Sequence, residues 1–80
     1  MKLPRDVSGE SLARAMARVG YRVTRQTGSH IRLTHEGPPR HHLTIPAHAE
    51  LRAGTLSAIL SMAADSLQIS REQLWVALKL

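Results

Sequence analysis

Two interruptions, Gly28-Ser29 and Glu36-Gly37-Pro38-Pro39-Arg40, cut residues 21–45 into three short runs that alternate in polarity. Proline has no N–H for a ladder and glycine weakens one, so the second break reads as a loop. The first reads as a hairpin turn. Runs of this length with period-two alternation read as half-buried strands. Tyr21 to Thr27 is expected to turn Tyr21 and Val23 inward and Arg22, Thr24 and Gln26 outward. His30 to His35 turns Ile31 and Leu33 inward and sets His30, Arg32 and Thr34 on the other face. His41 to Ile45 turns Leu43 and Ile45 inward and His42 and Thr44 outward, and Pro46 ends it. His41 and His42 are adjacent, so they point to opposite faces.

Helical periodicity flanks this region. Ser8 is placed to cap a helix running to about Val19, in which Leu12, Ala15, Met16 and Val19 form one apolar stripe. Glu10, Arg14 and Arg18 line its opposite face at i, i+4 spacing. Gly20 stands where a left-handed C-terminal residue belongs. A second helix begins between Leu51 and Thr55, with Leu56, Ile59, Leu60, Ala63 and Leu67 at helical spacing. A third starts at Ser70, whose pairing with Gln73 reads as a capping box. The order α-β-β-β-α, plus a short C-terminal helix, predicts an α+β fold. It is a three-stranded antiparallel sheet with helices on one face, in a single domain over residues 1–80.

The chain has eleven Lys+Arg against six Asp+Glu, a formal charge of +5, and no cysteine. The missing cysteine excludes a disulfide framework and a thiolate zinc site. The start, Met1-Lys2-Leu3-Pro4-Arg5-Asp6, lacks the apolar core of a secretory signal, and no apolar run is long enough to span a bilayer. A cytoplasmic location with no membrane partner is the expectation. Nine of the basic residues are arginine, which grips phosphate in a two-pronged fork. That charge suits a polyanion, though solubility alone also accounts for it. Tyr21 and Trp75 are the only aromatic residues of Phe, Tyr and Trp. This argues against single-strand binding by base stacking, which needs a row of aromatic platforms, and leaves backbone and shape recognition open.

His30 is the leading candidate for chemistry, because imidazole exchanges protons near neutral pH. On a positive surface the natural substrate is RNA, whose 2′-hydroxyl attacks the adjacent phosphorus once a base removes its proton. Such a reaction needs a base, positive charge on the phosphoryl oxygens and correct geometry, and it needs no metal or other cofactor. Arg22, Arg25 and Arg32 are the candidates for that charge. His42, on the same face as His30, is a candidate RNA contact and a candidate acid for the leaving 5′-oxygen. Gly54-Thr55 near a helix start offers free amides to a phosphate, so Thr55 joins the candidate RNA-binding residues. The run Arg14, Arg18, Arg22 is either a phosphate-tracking surface or a solvated helix face. His48 reads as a loop residue bonded to backbone as readily as a catalytic one. The five histidines show no metal-ligand spacing, and the scattered carboxylates do not form a two-metal site.

Taken together and in order, several short segments resemble a known family. They are Ser8-Gly9, Gly20-Tyr21, Gly28-Ser29-His30, Thr44-Ile45-Pro46-Ala47-His48, and Gly54-Thr55-Leu56 with Ile59-Leu60. The chain resembles the HicA mRNA interferase toxins, also called the YcfA-like family, over nearly its whole length. The resemblance implies a double-stranded-RNA-binding-domain-like fold and a metal-independent endoribonuclease that cleaves messenger RNA. It also implies a type II toxin–antitoxin pair with a HicB-like antitoxin protein that covers the active site, and it maps the catalytic histidine onto His30. The proline-rich loop Glu36 to Arg40 and the His41-His42 pair depart from the family pattern. Two other readings stand beside this one. One is a non-catalytic double-stranded-RNA-binding module, and the other is a protein-interaction domain docking an acidic partner.

Overall fold

The computed structural model describes residues 6–80, so the reading of Met1–Arg5 as lacking a leader lies outside the described residues. Helix α1 spans Gly9–Met16 and tightens into a 3₁₀ turn at Ala17–Val19. Strands β1 (Tyr21–Thr27), β2 (His30–His35) and β3 (His41–Pro46) follow, then helices α2 (Ala53–Leu67) and α3 (Arg71–Leu78). The strands pair antiparallel in the order β1-β2-β3. This is the expected α+β architecture, and the element order is compatible with a double-stranded-RNA-binding-domain-like fold.

Two of the helix starts, those of α1 and α3, are closed by a side-chain cap, whereas α2 begins at Arg52 without one. The Ser8 hydroxyl accepts from the Ser11 N–H at the head of α1. Ser70 accepts from the Gln73 N–H while the Gln73 side chain accepts from the Ser70 N–H, a complete capping box. Ser70→Ala is expected to cost about 1 kcal/mol of stability, read as a shifted denaturation midpoint. Gly20 ends the 3₁₀ turn at φ 98°, in the left-handed region. A Cβ there would also lie 2.6 Å from His35 Nε2, so the position is closed to larger residues twice over.

The core forms between the helices and one sheet face. Leu12 and Met16 of α1, Ile31, Leu33, Leu43 and Ile45 of the sheet, Leu56 and Leu60 of α2, and Leu74 and Leu78 of α3 are all buried in it. Helix α1 packs against all three strands. The opposite sheet face keeps His30, Arg32, His42 and Thr44 exposed.

Strand β1 departs from simple alternation. Its register shifts between Val23 and Arg25, leaving Thr24 as an extra residue. A bulge resets parity, so the residues beyond it change face. Gln26 is therefore opposite Ile31, on the helix side, rather than outward as alternation predicts. Arg25 is opposite Arg32, on the open side. Val23 pairs with Leu33 but is 53% exposed, because it lies on an edge strand that the helices do not fully cover.

Candidate nucleic-acid interface

The residues of the open face fall into three rows across the sheet. Thr27, His30 and Pro46 make the first, Arg25, Arg32 and Thr44 the second, and Arg22, Thr34 and His42 the third. Adjacent rows are two residues apart, about 7 Å. All three arginines proposed to supply charge thus share a face with His30, and Arg25 does so only because of the bulge at Thr24.

The first row is locked at its backbone. The Ala47 N–H donates to the Ser29 carbonyl at 2.7 Å, extending the β2–β3 ladder past His30. The Gly9 N–H donates to the His48 carbonyl at 2.9 Å, which brings the start of α1 to the same corner. A Cβ on Gly9 would overlap the Pro46 carbonyl, so only glycine allows this approach. Ser8-Gly9, Gly28-Ser29-His30 and Pro46-Ala47-His48, far apart in sequence, therefore meet at one corner. The contribution of His48 there is its carbonyl, while its side chain is exposed. The His30 side chain is exposed and has no hydrogen-bond partner among the described residues.

In the second row, Arg25 and Arg32 are directly opposite each other, and both are exposed. Like charges placed so are destabilising on their own. The ion pairs found among the described residues, Arg22–Glu36 at 2.6 Å and Arg40–Glu36 at 3.1 Å, include neither. A bound anion would relieve this repulsion.

The third row is farther from His30 than the sequence suggests. His42 is opposite Thr34, four residues along β2 from His30, or about 13 Å. The two rings do not flank one phosphodiester, so His42 is not positioned as the acid for a bond activated by His30. Arg22 is in the same far row, and its guanidinium is engaged by Glu36. The Arg22 hydrogen bond, aided by the Arg40 charge, holds the Glu36 carboxyl below its ordinary value.

Other candidates separate from this face. Arg14 and Arg18 are on the α1 side of the sheet and Arg22 is on the open side, so the three do not form one tracking surface. Thr55 is in the first turn of α2, half-buried, and no hydrogen bond joins it to the His30 corner. Among the described residues, no three His, Asp or Glu side chains gather as a set of metal ligands.

One polar cluster went unread in the sequence. His35 and His41 point to the core side with Tyr21, and their rings stack with centroids 5.1 Å apart. His35 Nε2 donates to the Val19 carbonyl and its Nδ1 accepts from the Gly37 N–H. His41 Nδ1 donates to the Pro39 carbonyl, and its Nε2 bonds the Tyr21 hydroxyl at 2.7 Å. Burial pushes the Tyr21 phenol up to about 12. These two histidines tie the 3₁₀ turn and the loop at residues 36–40 to the sheet. Strand parity with Leu33 and Leu43 was the available signal for them.

These features define a small α+β protein with a cationic, histidine-bearing sheet face left open. The family model described as HicA toxin of bacterial toxin-antitoxin matches residues 9–64, well over half of the chain, and the protein belongs to that family. The match runs from α1 through the sheet into α2, and so includes the corner that holds His30. A search of the curated proteins finds no match. Membership makes the chain the toxin partner of a toxin–antitoxin system. No helix of the described residues is long and apolar enough to cross a membrane.

Proposed function

We propose that the open sheet face binds messenger RNA and cuts it without a metal, with His30 as general base. The observation that carries this reading is the Arg25–Arg32 pair, directly opposed in the row next to His30 and outside the ion pairs of the described residues. His30 takes the proton of a ribose 2′-hydroxyl, and the 2′-oxygen forms a bond to the adjacent phosphorus. The 5′-oxygen leaves with a proton from solvent, giving a 2′,3′-cyclic phosphate end and a 5′-hydroxyl end. Arg25 and Arg32 offset the charge that builds on the phosphoryl oxygens. The antitoxin would be a HicB-like protein that covers this face, and the site of action would be the cytoplasm.

The test is cleavage of an RNA oligonucleotide with EDTA present, beside an all-deoxy oligonucleotide of the same sequence. Cut RNA, cyclic phosphate ends and intact DNA are expected, because only RNA supplies the nucleophile. Ends other than cyclic phosphate, or cleavage of the DNA, would refute the mechanism. Arg32→Ala and Arg25→Ala are each expected to slow cleavage by roughly tenfold or more, about the worth of one charge-assisted hydrogen bond. Each should also flatten the dependence of RNA binding on salt, since one fewer counterion is released.

A binding-only reading draws on one observation: no side chain among the described residues bonds the His30 ring and orients it. Under that reading the protein binds RNA with the same salt dependence, and RNA stays intact.

A further inference from the structure

Thr34 is 1% exposed, although it belongs to the open, polar face. Its hydroxyl lies 2.8 Å from Thr24 Oγ1 and 2.9 Å from His42 Nδ1. Thr24 Oγ1 in turn donates to the Arg32 carbonyl at 3.4 Å. A carbonyl only accepts, so one ordering satisfies every group along the line. Thr24 donates to Arg32, Thr34 donates to Thr24, and His42 Nδ1–H donates to Thr34. Thr24 is on the open face by alternation, and the register shift leaves it without a paired residue, between the partners of Leu33 and Arg32.

The consequence falls on the other ring nitrogen. His42 is exposed, and its Nε2 has no partner among the described residues. With Nδ1–H already donating, Nε2 is the ring atom left to meet a ligand, and a proton placed there would break no bond of the line. The Nδ1 bond fixes the ring in direction, so that Nε2 is presented to the open face as the atom that a phosphate would meet. The charged neighbours are Arg22 in the same row, the Glu36 carboxylate that engages it, Arg40 on that same carboxylate, and Arg32 one row away. Between the rows of His42 and His30 stands the row of Arg25 on β1, Arg32 on β2 and Thr44 on β3, so the strip over β2 from Thr34 to His30 passes Arg32.

We propose that His42 is a second phosphate-contacting site for a single RNA strand laid along β2, and that Thr34 and Thr24 are its positioning residues. The inference rests on the reading of the open face as the RNA surface. The rows of the strip repeat every 7 Å or so, a step of the kind an extended ribose-phosphate backbone makes between phosphates. A strand whose scissile phosphate is at His30 therefore reaches His42 with a phosphate farther along the chain. The protein contacts RNA well beyond the bond it cuts, and a dinucleotide is too short to use the whole face.

The experiment measures binding of a fluorescent single-stranded RNA oligonucleotide and of a dinucleotide, in a His30→Ala background that removes the proposed base. Adding His42→Ala is expected to weaken the oligonucleotide roughly tenfold, the loss of one charge-assisted hydrogen bond. Dinucleotide binding should be unchanged. Thr34→Val keeps the branched shape and removes the hydroxyl, and is expected to weaken the oligonucleotide by a smaller factor. Thr34→Ser should restore it. If Thr34→Val fails to fold by circular dichroism, His42→Ala, on an exposed ring, decides alone. Equal oligonucleotide affinity with and without His42→Ala overturns the proposal, and so does equal loss on both ligands. Cleavage by the wild type is scored separately. A protein that never cuts RNA yet loses oligonucleotide affinity on His42→Ala keeps this subsite and refutes the role of His30.

Discussion

His30→Ala is expected to lower RNA cleavage by about 10²- to 10⁴-fold, the usual worth of a positioned general base, while leaving the fold intact. The two halves of that expectation have separate physical grounds. The His30 backbone is held by its ladder with Pro46 on one side and Thr27 on the other, and by the Ala47–Ser29 hydrogen bond just beyond. The side chain contributes nothing to this, being exposed and without a hydrogen bond among the described residues. Exposed substitutions of this kind usually stay within about 0.5 kcal/mol of the parent stability. Cleavage rates of wild type and His30→Ala, measured with EDTA present and beside matched thermal melts, check both halves. A variant that melts normally and cuts RNA at the wild-type rate would remove His30 from the chemistry. The same pair of proteins, tested for growth arrest on induced expression, should separate in the same way.

Gly9→Ala is expected to destabilise the fold by about 1–3 kcal/mol, the usual cost of overpacking a closed site. The added Cβ would overlap the Pro46 carbonyl, which is backbone and cannot rotate away. Relief requires the start of α1 to move off the segment at residues 46–48, and that movement stretches the Gly9 N–H to His48 carbonyl bond. A domain of this size has only about 4–12 kcal/mol of stability in total, so the loss is a large fraction of it. Chemical denaturation reads it directly. The substitution also reaches the candidate site, because the displaced segment carries Pro46, the ladder partner of His30, and Ala47, which bonds Ser29. Cleavage by the folded fraction is therefore expected to fall as well. A Gly9→Ala protein with wild-type stability would show that the approach of α1 to Pro46 is not tight.

Glycine, proline and period-two polarity made the three strands legible in the sequence, because each records a local constraint of the backbone. Strand limits at Tyr21–Thr27 and His30–His35, the left-handed end at Gly20 and the capping box at Ser70 are of that kind. So is the facing of His30, Arg32, His42 and Thr44, which follows from the pleat alone. The face of Arg25 and Gln26 did not follow, since a bulge costs one residue of register and leaves no mark in composition. Distance along the sheet was also hidden. Alternation assigns His30 and His42 to one face, and only the register shows four residues of β2 between them. The burial of Thr34, the pairing of Arg22 with Glu36 and the stacked His35 and His41 all depend on residues that pairing brings together across the sheet or its loops. Local preferences along β2 and β3 determined which of their side chains look outward. Pairing between strands decided which of them stand close enough to act together.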